Sequence, residues 1–334
     1  MSKSLLEVDH LSISFWGKDR WLKAVKDISF TVNQGEIVAI VGESGSGKSV
    51  TAEALLGLHQ PATSLIDGRI RFNGELVYDS KASHLASLRG KAIGMIFQDA
   101  LNSLNPVFKI DKQFIETLRQ HQKISKKAAK ALAVEALQLC GISDPVRILN
   151  SYPHELSGGL QQRVMIALAI SCQPKLLIGD EPTTALDVTI QYQILTLLKD
   201  IQAKLNTGIL LITHDFGVVA EIATRVIVMY AGEIVESGPT ADILNSPRHP
   251  YTQSLLKSRV PKDIQATNGK LTTIQGSVPS LQAMPEDGCR FAPRIPWLPA
   301  TAHETSPQLH QVGGEHWVRC RCWEHFKFAE ELSL

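Results

Sequence analysis

The chain lacks several features that would assign it to a class of protein at once. No apolar run approaches the roughly 18–20 residues that a membrane-spanning helix needs. The N-terminal stretch MSKSLLEVDH has no apolar signal core, so we expect a chain that is not exported. The 34 Lys and Arg against 33 Asp and Glu leave no basic excess, which argues against a general nucleic-acid-binding protein. Five cysteines, an odd number, fit a reducing compartment better than a disulfide framework.

What the sequence does contain is a phosphate-binding motif. An apolar, β-branched run at 37–41 predicts a buried strand. Directly after it comes the spacing G-x-x-x-x-G-K-[ST], which we call the P-loop, in Gly42, Glu43, Ser44, Gly45, Ser46, Gly47, Lys48 and Ser49. Its glycines let backbone N–H groups point at phosphate oxygens, Lys48 adds positive charge and Ser49 offers a hydroxyl to Mg²⁺. The alternative is a Gly/Ser-rich turn. The strand before it and an apolar-periodic helix reaching Leu58 favour a nucleoside triphosphate site.

The order of the remaining elements predicts an α/β fold. Alternating apolar and polar residues at 5–32 predict strands, and Asn73-Gly74 predicts a hairpin turn. Alternation of helices with short apolar strands favours a parallel sheet covered on both faces. Those strands are expected at 92–97, 175–180, 208–213 and 225–229.

Two segments depart from this alternation. Helix-period segments dominate at about 99–155, which predicts a helical insertion between two strands of the core. The part after Pro250 is rich in Pro, Gly and His, which predicts irregular structure. We therefore predict a P-loop NTPase core with a parallel sheet, an antiparallel β subdomain, the helical insertion and a small irregular C-terminal extension. The core domain would span 5–250 and the extension 251–334.

Polar residues at the ends of apolar strands are candidates for catalysis. Ligands of parallel sheets bind at the carboxyl ends of the strands. There Asp180 would hold Mg²⁺ and Glu181 would act as the general base towards water. His214 and Gln98 end their own strands, where they would contact the γ-phosphate, the water or the metal. The alternatives are a solvated acidic pair and a packing histidine.

The segment LSGGLQQR at 156–163 predicts a second anion site. Ser157 and the N–H groups of Gly158 and Gly159 stand at a helix start, in addition to the P-loop. One P-loop and two phosphate-binding helix starts suggest a dimer in which each chain completes the other's site; the alternative is an N-capped turn. Phe15 would either stack on a nucleotide base or close the edge of a small sheet.

The order of these motifs resembles the nucleotide-binding subunit of an ATP-binding cassette transporter. The resemblance covers about 5–250 and departs only slightly, with Leu160 inside the signature segment. It implies ATP and Mg²⁺ as ligands. It implies further that Ser157 and Gly159 touch the ATP of the partner subunit and that Asp187 crosses the dimer interface. The residues serving the chain's own ATP would be Lys48, Ser49, Gln98, Asp180, Glu181 and His214.

The C-terminal part resembles the peptide/nickel importer group. The segments RHPYTQSLL at 248–256, GSVP at 276–279 and FQDALNSLNP at 97–106 carry this resemblance. It implies an ATPase at the cytoplasmic face of the inner membrane that energises uptake of peptides or a related solute such as a nickel chelate. The partners would be a second cassette ATPase, related or identical, two membrane permeases and an extracytoplasmic binding protein, with no nucleic acid. The alternatives are a soluble cassette ATPase of DNA repair or translation and a regulatory cassette subunit.

The extension of that group often carries four cysteines that hold an iron–sulfur cluster. Here Cys289 remains, Ile295 stands in the second position, Ala302 in the third, and Cys320 or Cys322 supplies the last. An iron–sulfur cluster is therefore not expected. A Cys₃His zinc site is an alternative by ligand type, but we expect a metal-free docking tail. The histidines available for such a site are His303, His310 and His316.

Overall fold

The computed structural model describes residues 4–99, 103–184, 186–258 and 276–328. Small parts of the predicted segments lie outside these described residues. They are 100–102 of the helical insertion, Ala185, and 259–275 and 329–334 of the extension.

The N-terminal strands form an antiparallel sheet of their own. Its strand order is β2-β1-β4-β5. The turn between β4 and β5 is made by Asn73 and Gly74, which both have positive φ, +53° and +86°. This turn confirms the hairpin predicted from these two residues. Turns with positive φ at both central residues are favoured in hairpins because they match the twist of the flanking strands. The strands are β1 (Ser4–Trp16), β2 (Trp21–Asn33), β4 (Ser64–Phe72) and β5 (Glu75–Tyr78).

The main sheet has the order β11-β12-β10-β9-β3-β8-β7-β6 among the described residues. Its antiparallel strands are β10 (Glu233–Pro239), β11 (Leu309–Gly313) and β12 (His316–Arg319). The five strands from β9 to β6 run parallel, whereas β10, β12 and β11 are antiparallel. The predicted parallel sheet is therefore extended into a mixed one. The parallel strands are β3 (Ile37–Val41), β6 (Ile93–Ile96), β7 (Leu176–Asp180), β8 (Gly208–Thr213) and β9 (Arg225–Tyr230).

Helices flank this sheet and build the helical insertion. In the insertion, Ile110, Phe114 and Leu118 recur every four residues and are fully buried, as an amphipathic helix requires. The helix after the P-loop is shorter than predicted, since it ends before Leu58, which is exposed. The helices are α1 (Lys48–Leu55), α2 (Leu85–Leu88), α3 (Ile110–His121), α4 (Lys126–Leu139), α5 (Pro145–Asn150), α6 (Gly158–Ile170), α7 (Val188–Leu205), α8 (Phe216–Ile222), α9 (Thr240–Asn245) and α10 (Pro250–Lys257).

The extension is less irregular than the sequence predicted. Its strands β11 (Leu309–Gly313) and β12 (His316–Arg319) form a hairpin, and β12 pairs with β10 (Glu233–Pro239) at the edge of the main sheet. Buried Glu236 of β10 lies 2.7 Å from His316 Nε2, so a polar contact inside the protein accompanies the pairing. The sequence did not predict this hairpin because the two strands are short. Among the described helices, we find none that is both long and apolar enough to cross a membrane.

Candidate nucleotide-binding site

The P-loop joins strand β3 to helix α1, as predicted. Gly47 stands at the N-cap of α1 with φ of +100°, a conformation that side chains rarely allow. At Gly42 a Cβ would come within 2.2 Å of the carbonyl oxygen of Met229. These two glycines are therefore required by the backbone path, and they leave the N-terminal end of α1 facing the loop, where an anion is stabilised.

Lys48 lies at the centre of the loop. Its Nζ donates to the carbonyl oxygens of Gly42 at 2.8 Å and Glu43 at 3.0 Å. Burial lowers the pKa of Lys48, while the carboxylates of Glu181, Asp180 and Glu43 act in the opposite direction. The ammonium group is thus held by loop oxygens and by nearby negative charge, in the position where a phosphate would be bound.

Ser49 and Asp180 form a pair of oxygen ligands. The Ser49 hydroxyl donates to Asp180 Oδ1 at 3.1 Å, across from the end of β7. Burial raises the pKa of Asp180, and the hydrogen bond from Ser49 acts against this rise. A hydroxyl and a carboxylate at this separation are the hard oxygen donors that Mg²⁺ prefers, so the residues present fit that ion.

Glu181 contacts three polar side chains beyond the P-loop. Its carboxylate accepts from Gln98 Nε2 at 3.2 Å and from Thr184 Oγ1 at 2.9 Å, and it lies 3.2 Å from His214 Nδ1. The residue has φ of +47°, which is strained for a non-glycine residue. Burial alone would raise the pKa of Glu181, but the contacts with His214 and Thr184 and the charge of Lys48 lower it. The carboxylate is therefore held in its ionised form.

A cavity of about 880 Å³ brings these groups together. It is lined by the P-loop apart from Ser46, by the next residue Val50, by Gln98, Glu181 and His214, and by three residues for which the sequence predicted no role in the site. One is Thr184, whose hydroxyl orients Glu181. The others, Leu255 and Ser258, belong to the RHPYTQSLL segment and its continuation. The sequence motif of the extension supports the family resemblance, but its spacing does not predict a position beside the P-loop.

Six predicted residues lie outside this lining. Two of them, Ser46 and Asp180, are buried and hydrogen-bond to Lys48 and Ser49. Phe15 packs its ring edge-on against His59, 5.3 Å between centroids, so base stacking by Phe15 stays a prediction. Ser157 is exposed at the N-cap of α6, and its side chain makes no capping hydrogen bond. Gly159 follows in the first turn of α6, and Asp187 is exposed at the N-cap of α7, where it accepts from Ile190 N–H at 2.9 Å. The chain's own signature segment thus does not border its own P-loop cavity.

The three cysteines of the extension lie close together, although a metal-free tail would not require this. Cys289, Cys320 and Cys322 converge with His303, and one ligand atom of each lies within 4.8 Å of the others. The two other candidate histidines are engaged elsewhere: His310 Nε2 lies 2.7 Å from Glu304, and His316 contacts Glu236.

Two protein-family models match the chain. The ABC transporter model matches residues 25–184, which contain the P-loop, the signature segment and β7. The model of the oligopeptide/dipeptide transporter C-terminal region matches residues 235–297.

Curated relatives extend the match to nearly the whole chain. The oligopeptide transport ATP-binding protein OppD of Lactococcus lactis subsp. cremoris (strain SK11) is 44% identical over 331 residues, 99% of this chain and 97% of that protein. The chain belongs to the ABC transporter family of ATP-binding proteins. Another relative, OppD of Bacillus subtilis (strain 168), is 49% identical over 316 residues, 94% of this chain and 88% of that protein. The family resemblance inferred from the motifs is therefore confirmed.

Solved structures confirm the cassette fold of this ABC ATP-binding protein. The dimeric post-hydrolysis state of the ATP-binding cassette MJ0796, bound to ADP and Pi, has a TM-score of 0.61 at 26% identity, covering 71% of this chain and 99% of that one. CbiO1 from Clostridium perfringens, part of the transporter complex cbiONQ, has a TM-score of 0.62 at 28% identity, covering 73% and 92%.

Proposed function

We propose that this ABC ATP-binding protein is the Mg²⁺-dependent ATPase subunit of a membrane importer for peptides. The observation that carries the proposal is the polar site itself, in which Glu181 contacts Gln98 and His214, and Ser49 hydrogen-bonds to Asp180. The peptide substrate is supported by relatives named as oligopeptide transport ATP-binding proteins. Neither the DNA repair nor the regulatory alternative is favoured, since the match includes the transporter C-terminal region and the polar site is complete.

The residues divide the chemistry between positioning and proton transfer. The P-loop N–H groups and Lys48 bind and orient the β- and γ-phosphates of ATP. Ser49 and Asp180 would hold Mg²⁺, which supplies neutralisation of the charge that develops on the phosphates. Glu181, ionised and oriented by Thr184, accepts a proton from the attacking water, and His214 holds its carboxylate in place.

Dimerisation of cassettes completes the site in this proposal. Ser157 and Gly158 are exposed and Gly159 is half-exposed, and none of them borders the chain's own cavity. They are therefore free to contact ATP on a second, related or identical cassette, with Asp187 near the interface. Similarity to a dimeric cassette structure supports this arrangement.

In this proposal, transport involves partner subunits in the membrane. Gln98 follows β6 and precedes the helical insertion, so closure around ATP would move those helices against two permeases at the cytoplasmic face of the membrane. An extracytoplasmic binding protein would deliver the peptide. Affinity purification of the chain from gently solubilised membranes should recover two multi-spanning proteins and a second cassette ATPase. Recovery of ribosomal or DNA-repair proteins instead would contradict the importer.

Glu181→Gln tests the hydrolytic role directly. The amide preserves the size of the side chain but cannot accept the proton, so hydrolysis should fall by about 10²-fold or more while ATP binding persists. ATP binding is measured by equilibrium titration and hydrolysis by phosphate release. The control is Glu221→Gln, which alters an exposed ion pair with Lys199. Equal loss of binding and hydrolysis would contradict the assignment of Glu181 as general base.

A further inference from the structure

The extension contains a convergent set of metal-ligand side chains outside the nucleotide site. One ligand atom of each residue lies within 4.8 Å of all the others. They come from three separate turns of the chain, since Cys320 and Cys322 share the last one, and no helix or strand periodicity brings all four together. We call this set the Cys₃His group: Cys289, His303, Cys320 and Cys322.

The surroundings of the Cys₃His group indicate a missing bonding partner. Nδ1 of His303 is buried, and no hydrogen-bond partner reaches it. A buried imidazole nitrogen without a partner is costly, unless an ion binds it. Cys320 and Cys322 are 1% and 0% exposed. Cys320 has φ of +62°, a strained backbone for a non-glycine residue that holds its thiol in this position.

The spacing of the ligand atoms fits one ion. With Zn–S bonds of about 2.3 Å, neighbouring ligands of a tetrahedral site stand about 3.8 Å apart. In a four-iron cluster each thiolate binds a different iron, so the ligands stand farther apart than those that share one ion. The limit of 4.8 Å observed here is compatible with the single ion and not with the cluster.

The residues at the two lost cysteine positions support the same conclusion. Ile295 is 1% exposed and belongs to an apolar cluster against which Ala302 also packs. Neither can bind a metal. Their places in the ligand set are taken by His303, directly after Ala302, and by Cys322, two residues after Cys320. The extension therefore has a complete set of four ligands of its own.

A metal at this position would stabilise the fold of the extension. Beyond α10, the described part of the extension, 276–328, consists of two short strands and single turns of 3₁₀ helix. Such a small unit gains much of its stability from cross-links such as disulfides or a structural metal ion, because it cannot bury a large core. The turns that it must hold in place carry Arg290 and Arg294, which contact the hairpin β9–β10 and the P-loop.

We propose that the Cys₃His group binds one structural Zn²⁺ that fastens the C-terminal extension onto the cassette. Three thiolates and one imidazole fill a tetrahedral coordination sphere, so the ion has no open position for substrate. Metal binding would be coupled to folding of the extension, because the three turns meet only in the folded chain.

The test is the metal content of the full chain, purified under reducing conditions in zinc-containing buffer and then desalted. Elemental analysis should find about one zinc per chain. After exchange with Co²⁺, the absorption spectrum should show the intense visible bands of a tetrahedral ion together with thiolate charge-transfer bands. Chelation should lower the unfolding temperature and open the extension to protease, while the cassette remains folded.

Variants separate metal binding from general damage. Cys320→Ser and His303→Ala should lower the zinc content at least about ten-fold. Cys172→Ser and His325→Ala are matched controls outside the group and should retain the zinc. His303→Cys should keep the ion and shift the Co²⁺ spectrum to that of four thiolates, which a merely structural histidine would not do. ATP binding by each variant verifies that the cassette is folded.

Several outcomes would overturn the proposal. Less than about a tenth of an ion per chain in zinc-replete wild type would do so. Iron with inorganic sulfide, or a disulfide between two of the three thiols under the same reducing conditions, would also overturn it. Equal loss of zinc from the Cys172→Ser or His325→Ala controls would show that the ion is bound elsewhere.

Discussion

Arg294 of the extension forms a two-pronged ion pair with Glu43 of the P-loop. Nη1 lies 2.5 Å from Oε2, and Nη2 lies 3.3 Å from Oε1. The Arg294 side chain is 4% exposed. The backbone N–H of the same Glu43 donates to the Tyr251 hydroxyl at 2.7 Å. The extension therefore holds one P-loop residue through both its side chain and its backbone. For that reason, substitutions in the extension that break these contacts should change the affinity for the nucleotide.

Removing this ion pair should weaken nucleotide binding. In Arg294→Gln, Glu43 loses its charged partner and the P-loop gains freedom that must be lost again when phosphates bind. We expect the dissociation constant for ATP to rise about five-fold and the free energy of unfolding to fall by about 2 kcal/mol. Titration calorimetry and urea unfolding measure the two quantities.

A double-mutant cycle shows whether the effect belongs to the pair. Glu43→Gln and the double variant should lose about as much as Arg294→Gln alone, because each change removes the same contact. Arg321→Gln serves as a control, since that arginine is 64% exposed and lies 3.8 Å from Glu304. Fully additive losses in the cycle would mean that the pair does not couple the extension to the P-loop.

Ser157→Arg should separate the isolated chain from the assembled ATPase. Because Ser157 is exposed and does not border the chain's own cavity, the unfolding temperature and ATP affinity of the isolated chain should not change. In the complex purified from membranes, hydrolysis should fall by about 10²-fold, since the bulky side chain displaces a donor from the partner's ATP. Ser80→Arg, another exposed serine, is the control and should leave hydrolysis intact. Loss of ATP binding in the isolated chain would contradict the two-cassette site.

His249 should make stability depend on pH. It is 1% exposed, and its Nδ1 accepts from Tyr251 N–H at 3.1 Å, which caps α10. Burial lowers the pKa of His249 to about 4, despite the opposing effect of Glu236. Between pH 6.5, the ordinary pKa of histidine, and about pH 4, the His249 side chain takes up a proton only in the unfolded chain. Stability is therefore complete above pH 6.5 and is lost as the pH falls towards 4, by up to about 3 kcal/mol.

The variant His249→Asn isolates this contribution. Asparagine supplies a capping acceptor that does not titrate, so the free energy of unfolding should fall less steeply with pH than in the wild type. Urea unfolding over this pH range measures the slope, and any acid loss of metal affects both proteins alike. His325→Asn, at an exposed position, should keep the wild-type slope. Identical slopes for wild type and His249→Asn would contradict the assignment.

Local patterns were sufficient for much of the nucleotide site. The P-loop, the strands that lead to Asp180, Gln98 and His214, and the helical insertion all follow from short-range spacing and periodicity. The carboxyl ends of parallel strands must meet at one edge of a sheet. For that reason the sequence predicts Gln98 and His214 at the same edge of the sheet as Glu181. In the structure each of the two side chains lies 3.2 Å from the Glu181 carboxylate.

The sequence by itself determined the cassette, because strand, helix and phosphate loop are encoded by neighbouring residues. The tertiary structure alone decided how the extension is built and what it touches. The contact between Glu43 and Arg294 joins residues 251 positions apart. The Cys₃His group is assembled from turns without periodicity, in which His303 and Cys322 replace the expected ligands. Such contacts form because packing brings distant turns of the chain together. Local sequence patterns do not show which turns will meet.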